Sequence, residues 1–248
     1  MKVLEGKVAV VTGASKGIGA DIACGMAAAG ASVIVNYSAD RAGAEAVAGN
    51  IRRAGGKAEV VQGDVREEHV SRALMQTAVD AFGRLDIVVN NAGYYHYQSL
   101  EEITVESFHK HFDVNLLGPI LMMREAAALM GPEGGSIINI GSAAARAILP
   151  TTAIYSATKA ALGKVSAIFA KELGPRKIRV NVVHPGAVET EGVRAAGLLG
   201  GEWERGLVEA TPLGRIGQVD DITPVTIFLA SDEARWITGE AIHVTGGF

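Results

Sequence analysis

The chain has 248 residues, 48 % apolar and 20 % charged, with a formal net charge of −4. A chain of this length can bury a large core without disulfides or metal, and its one cysteine, Cys24, cannot form an intrachain disulfide. No apolar run reaches the roughly 18 residues that span a bilayer, and the mild acidity gives nucleic acid no basic face.

Taken in chain order, short β-branched runs alternate with longer Ala-rich amphipathic stretches. Residues 7–12 (KVAVVT) read as a strand, 17–29 as a helix stopped by Gly30, and 32–36 (SVIVN) as a strand. A helix over 41–54 is closed by Gly55 and Gly56, then come a strand at 58–61, a helix at 67–82 and a strand at 86–89. The stretch 104–130 is helical with a break expected near Gly118 and Pro119. A strand at 136–140, a helix at 153–173, a strand at 178–183, a helix at 220–230 and a strand at 241–244 complete the chain. Apolar runs without polar alternation predict strands covered on both faces, hence a parallel sheet, and the alternation with helices predicts right-handed crossovers. The fold class is therefore α/β: a single-domain Rossmann fold over 1–248, with a doubly wound seven-stranded parallel sheet and helices on both faces. The Gly-rich stretch 190–211 is the weakest for secondary structure and is expected to be a substrate lid.

The first strand ends in Thr12-Gly13-Ala14-Ser15-Lys16-Gly17-Ile18-Gly19. The spacing is G-x-x-x-G-x-G, and the physics is that of a dinucleotide turn: glycines let the backbone approach a pyrophosphate, and the next helix offers free N–H groups and a positive dipole end. By itself the motif equally describes a glycine turn that binds nothing. No G-K-[ST] stands at P-loop spacing, against triphosphate hydrolysis. The second strand ends at Asn36, followed by Tyr37 and Ser38, where an NAD-preferring site carries Asp or Glu. With Lys16 in the glycine loop, a 2′-phosphate would be welcomed, unless Lys16 is only a solvated loop cation. NADP(H) is the expected cofactor, with NAD(H) the alternative.

Tyr155 and Lys159 stand four apart in a predicted helix and so share a face. Ser142 follows the fifth strand, at the carboxyl edge where ligands bind in such sheets. A phenol titrates near 10; a nearby ammonium is expected to lower that value, letting Tyr155 exchange a proton with a carbonyl or alcohol while Ser142 bonds the same oxygen. Y-x-x-x-K also arises by chance on surface helices. Tyr94, Tyr95, His96 and Tyr97 form a cluster that either lines a pocket or partly packs the helix beneath, with His96 facing solvent. No His, Cys, Asp or Glu cluster has metal-ligand spacing, so no metal is expected.

With the glycine turn, Asp64-Val65, NNAG at 90–93, Asn115, Ser142 with YSATK at 155–159, and Pro185-Gly186 with Thr190 all in order, the chain resembles the short-chain dehydrogenase/reductase family over its whole length. The resemblance implies an oxidoreductase with Asn115, Ser142, Tyr155 and Lys159 as catalytic residues. It implies cofactor binding by Gly13, Ser15, Lys16, Gly17, Ile18, Gly19, Asn36, Tyr37, Ser38, Asp64, Val65, Asn91, Ala92, Gly93, Tyr155, Lys159, Pro185, Gly186, Val188 and Thr190. Within that pattern Asp64 would bond the adenine amino group, Asn115 would hold a water leading to Lys159, and 185–190 would cover the nicotinamide. The branch it most resembles contains 3-oxoacyl-ACP reductases and bacterial ketone, polyol and sugar reductases. Glu133, in the otherwise neutral stretch 131–135, would repel an acidic carrier protein, although Lys171 could supply one cation. The favoured substrate is therefore a small free ketone or secondary alcohol, with 3-oxoacyl-ACP reduction as the alternative. A dinucleotide-binding sensor or scaffold is the non-enzymatic alternative. Apolar residues on more than one face of 116–130 and 153–173 predict self-association, and the resemblance implies a homotetramer. The expected compartment is the cytoplasm, with neither membrane nor nucleic acid as a partner.

Overall fold

All seven apolar runs form strands: β1 Val8–Val11, β2 Ser32–Tyr37, β3 Lys57–Gln62, β4 Ile87–Asn90, β5 Gly135–Ile140, β6 Ile178–Pro185 and β7 Ala241–Val244. They come from a computed structural model that describes residues 2–195, 197 and 199–248. Every neighbouring pair is parallel, in the order β3-β2-β1-β4-β5-β6-β7, with Val10 opposite Val88, Val89 opposite Ile138 and Ile140 opposite Val183. The chain winds outward from β1 to β3, then returns to β4 on the other side of β1. That reversal opens a crevice at the carboxyl ends of β1 and β4, the place where such sheets bind ligands.

Alternation along each strand feeds two cores. Ala9, Val11, Val33 and Val35 pack with α1 (Gly17–Ala28), α2 (Arg41–Arg53) and a C-terminal helix at Val219–Ala230. Val8, Val10, Ile34, Val88 and Ile137 pack on the opposite face against α3 (Glu68–Phe82), a helix at Gly118–Leu129 and a long helix at Ala153–Leu173. A polar chain runs through this second layer: Asn90 Nδ2 donates to Asn139 Oδ1 at 2.7 Å, and Asn139 Nδ2 to Ser166 Oγ at 2.8 Å. These bonds lock the ends of β4 and β5 to the long helix.

The stretch 104–130 departs from expectation. The helix does not break at Gly118-Pro119. Instead α4 (Val105–Phe112) passes through a π-helical turn, Asp113–Leu117, into α5 (Gly118–Leu129). Pro119 has no N–H to give the preceding turn, and the backbone widens there rather than ending. Such turns occur often at functional sites, and this one carries Asn115. The long helix Ala153–Leu173 is α6. Beyond β6, the stretch 190–211 contains two short helices, α7 (Glu191–Ala195) and α8 (Glu202–Ala210), followed by α9 (Val219–Ala230). Residues 196 and 198 of the expected lid lie outside the described residues.

Candidate active site

The glycine turn after β1 is shaped by contacts that leave no room for side chains. Gly13 and Gly17 have φ of +60° and +59°, a region that favours glycine. A Cβ on Gly13 would stand 2.9 Å from the Ala92 Cα, and one on Gly19 would stand 2.5 Å from the Gly13 carbonyl oxygen. Asn91 Nδ2 donates to the carbonyls of Thr12 and Gly13 at 2.9 and 3.0 Å, while Thr12 Oγ1 accepts from the Asn91 and Ala92 N–H groups. The NNAG segment thus clamps the turn from the β4 side and leaves its backbone open to a phosphate at the start of α1.

The side chains of Asn36 and Tyr37, two of the residues expected to bind cofactor, are buried. Asn36 is 1 % exposed; its Oδ1 accepts from Gly13 N, and its Nδ2 donates to the carbonyls of Val61 and Gly63 at 3.2 and 3.1 Å. It ties the turn to the end of β3. Tyr37 is buried in the first core. Ser38 and Lys16 are exposed at this corner, and Lys16 makes no ion pair among the described residues. Asp64 is gripped by Arg66, with Nε and Nη2 at 3.0 and 2.6 Å from its oxygens, and this holds its carboxyl below the usual range. Val65 is buried beside it. Ser15 and Ile18 lie in the turn and at the start of α1.

Asn115, Ser142, Tyr155 and Lys159 gather past the carboxyl ends of β4 and β5. The Asn115 carboxamide accepts from Tyr94 N at 2.7 Å and donates to Tyr94 O at 2.8 Å and Thr158 Oγ1 at 3.1 Å. Its side chain is therefore occupied in fixing the 94–97 loop and makes no bond to Lys159. A Cβ on Gly93 would fall 3.6 Å from Asn115 Oδ1 and 3.7 Å from Lys159 Nζ. Tyr155, in the first turn of α6, has its phenol beside Ser142. Lys159, one turn on, is buried and donates to the Ile140 carbonyl at 2.8 Å, with Nζ 5.8 Å from the Tyr155 ring centroid.

The electrostatics correct one expectation. The Tyr155 phenol is pushed up to about 12, first by loss of water contact, with the nearby Ser142 opposing and Tyr97 and Tyr95 adding. Burial pushes Lys159 down to about 8. Desolvation outweighs the attraction expected from the ammonium, whose proton is directed to a strand carbonyl instead. At neutral pH the phenol is fully protonated, which is the form that donates to a carbonyl.

The tyrosine cluster divides. Tyr94 packs edge-on to His111 of α4 at 4.8 Å, with Lys110 Nζ 4.3 Å from its centroid. Tyr97 turns the other way, edge-on to Tyr155 at 6.2 Å, and Tyr95 lies 6.3 Å from Tyr97. A Cβ on Gly192 would come 2.6 Å from the Tyr95 hydroxyl, so the loop meets α7. His111 holds this loop in place: its Nε2 accepts from His96 N at 3.2 Å and its Nδ1 bonds the Ser107 carbonyl at 2.7 Å. Its position four residues from Ser107, on a buried face, gave the only signal of this role. Thr190 packs on Gly17, Gly186 N donates to Val244 O at 3.0 Å, and Val188 pairs with Gly217 in a parallel bridge. Pro185 ends β6 at the same edge. Glu191 was not singled out from sequence, yet its Oε2 accepts from Gly17 N at 2.9 Å.

A cavity of about 550 Å³ opens elsewhere, among Asp86, Glu133, Ser136, Lys177 and Arg179 at the amino ends of β4, β5 and β6. Glu133 stands on this opposite edge, so its charge does not face the candidate site and the carrier-protein argument built on it fails. Among the described residues no three His, Cys, Asp or Glu side chains converge as metal ligands, and no helix is long and apolar enough to cross a membrane.

The chain is similar to known proteins along its length. The sequence profile of the family described as Enoyl-(Acyl carrier protein) reductase matches residues 13–248. An uncharacterized oxidoreductase of Methylorubrum extorquens is 56 % identical over 247 residues, covering 100 % of this chain and 99 % of the other. Versicolorin reductase 1 of Aspergillus parasiticus is 38 % identical over 253 residues, covering 98 % and 97 %. The structure of a short chain dehydrogenase from Burkholderia cenocepacia in complex with NADP is 35 % identical, with a TM-score of 0.92 over 99 % of this chain and 98 % of that one.

Proposed function

Since the chain belongs to the short-chain dehydrogenase/reductase family, and so to the NAD(P)-dependent oxidoreductases, we propose that it reduces small free ketones with NADP(H), using Tyr155 as the acid. The observation that carries this reading is the meeting of Ser142, Tyr155 and Lys159 at the sheet edge beside the glycine turn. The glycine turn, packed so closely on Ala92 and Asn91 that Gly13 and Gly19 can carry no Cβ, leaves its backbone N–H groups for a dinucleotide. When bound, the nicotinamide supplies the hydride. Tyr155 gives its proton to the substrate oxygen, and Ser142 Oγ donates to that same oxygen as negative charge grows there. Lys159, with its proton held near pH 8, is matched to refill the phenol from solvent. Tyr97 and Tyr95 offer rings and hydroxyls to a ketone that carries further oxygens, and the reductase name of one relative supports the direction.

The test is NADPH oxidation with a panel of diketones, keto sugars and aromatic ketones, set against a carrier-bound 3-oxoacyl thioester. Higher catalytic efficiency on the thioester would establish the second reading, which the description of the matching family favours. Preference for NADP(H) is read as resting on the exposed Lys16 and Ser38, with no carboxylate at position 36. Lys16→Ala is expected to lower catalytic efficiency with NADPH about tenfold and leave NADH nearly unchanged. Asn36→Asp is not a clean converse test. The new carboxylate would face the Val61 and Gly63 carbonyls, which accept from the present amide.

We read 190–211 as the substrate lid. With Glu191 on the Gly17 N–H, a carboxylate stands where a pyrophosphate needs donors. Glu191→Gln is expected to tighten NADPH about two- to fivefold in a fluorescence titration, and unchanged affinity would remove Glu191 from that site. We also read the chain as a cytoplasmic homotetramer. Exposed Leu117, Ile168 and Phe228 on the π-helical turn, α6 and α9 are apolar surface for a second copy, and light scattering is expected to give a mass four times that of the chain.

A further inference from the structure

Behind the Ser142 loop, two histidines stack where no sequence motif places them. His184, near the end of β6, is 3 % exposed. Its ring lies on that of His243 in β7, with centroids 4.8 Å apart and planes 16° from parallel. The Ser142 N–H donates to His184 Nδ1 at 2.9 Å. Glycine flanks the ring on its inner side: a Cβ on Gly141 would stand 2.3 Å from Nδ1, and one on Gly163 would stand 3.9 Å from Nε2. The peptide that carries the serine is therefore pressed directly against the imidazole. Ser142 is extended there, with φ of −167°, and its hydroxyl accepts from Ala144 N and lies beside the Tyr155 phenol.

We propose that His184 is a positioning residue for the reaction: its Nδ1 lone pair holds the Ser142 N–H, and through that peptide the hydroxyl that meets Tyr155. The inference rests on the reading that Ser142 and Tyr155 serve carbonyl reduction. A backbone donor aimed at Nδ1 requires that nitrogen to be unprotonated. A second proton on the ring would set donor against donor and release the serine loop. The charged and titratable groups facing the ring are His243 from β7, Lys159 from α6 and Arg146 from the segment after Ser142. None is an acid. His243 Nδ1 is itself buried without a hydrogen-bond partner, so the stack offers nothing to stabilise an added charge. Burial, with these neighbours, pushes His184 down to about 4, and the acceptor form persists through the working range of pH.

Two variants separate holding from space-filling. His184→Asn places an amide oxygen close to the Nδ1 position, whereas His184→Phe keeps a ring on His243 and carries no acceptor. The expected result is that Asn keeps kcat for NADPH-dependent ketone reduction within about threefold. Phe is expected to lose roughly tenfold or more in kcat, with NADPH affinity unchanged. Full activity in Phe together with loss in Asn would overturn the proposal, since the ring would then act only by its volume. A second measurement needs neither turnover nor a folded variant. Nitrogen-15 spectra of the wild-type imidazoles are expected to show His184 protonated on Nε2 alone between about pH 5 and 8. A proton on Nδ1 within that range would overturn the proposal even if no ketone is reduced. An enzyme inactive on every carbonyl but with an unprotonated Nδ1 would instead count against the functional reading.

Discussion

Tyr155→Phe is expected to lower turnover by roughly 10²- to 10⁴-fold while NADPH still binds with near-native affinity. The change keeps the ring, and with it the edge-on contact to Tyr97 at 6.2 Å, and removes only the hydroxyl beside Ser142. That hydroxyl, pushed up to about 12, is protonated at neutral pH, and on the proposed reading it donates to the carbonyl oxygen. Ser142 alone would then face the growing negative charge, and a hydroxyl in water's pKa range protonates an alkoxide less well than a positioned phenol. Stopped-flow turnover and a separate fluorescence titration distinguish the two effects. Retention of more than about a tenth of wild-type turnover would show that the proton comes from elsewhere. On the proposed reading the pyrophosphate lies at the glycine turn and the 2′-phosphate at Lys16, away from this hydroxyl, which is why binding is expected to survive.

Lys159→Met is expected to cost about 10² in rate and yet raise the melting temperature at pH 7 by several degrees. Burial lowers the lysine from 10.5 to about 8 in the folded chain. Below pH 8 the folded state therefore bears the full cost of an ionised buried group, about 3 kcal/mol, and that cost fades as pH rises from 8 toward 10.5. Methionine fills a similar volume without charge. It leaves the Ile140 carbonyl, now bonded at 2.8 Å, without its donor, which takes back roughly 1 kcal/mol. The wild type should accordingly gain stability between pH 8 and 10 relative to the variant, as read by thermal melts at each pH. A variant that melts lower at pH 7 would mean that the ammonium stabilises the fold, against the direction of its shift. On the proposed reading function and stability pull apart at this residue: a cation is held where solvation is poor, and the proton it carries serves the reaction.

Much of the architecture is legible because it is written in local patterns. Uninterrupted β-branched runs can only be strands covered on both sides, and their alternation with Ala-rich helices leaves few topologies open. Gly13 and Gly19 mark a turn with no room for a Cβ, and the spacing of Tyr155 and Lys159 puts both on one helical face. Those features depend on neighbours in sequence, so the chain alone determined the sheet, the turn and the placing of Tyr155 and Lys159 side by side.

What only the tertiary structure decided depends on groups far apart in the chain. The direction of the Asn36 amide is set by Gly13, Val61 and Gly63, which converge only when β1, β2 and β3 align. Glu133 proved to lie at the amino edge of β5, away from Ser142, because a six-residue strand separates the two ends of the sheet. The widened turn at Asn115 keeps helical periodicity on both sides and so leaves no mark that a pattern could distinguish from a break. The proton affinities of Tyr155 and Lys159, and the histidine held against Ser142, arise from burial. Burial is a property of the packed whole: a side chain loses water only when elements distant in sequence close around it, and the free energy of its charge changes at that moment.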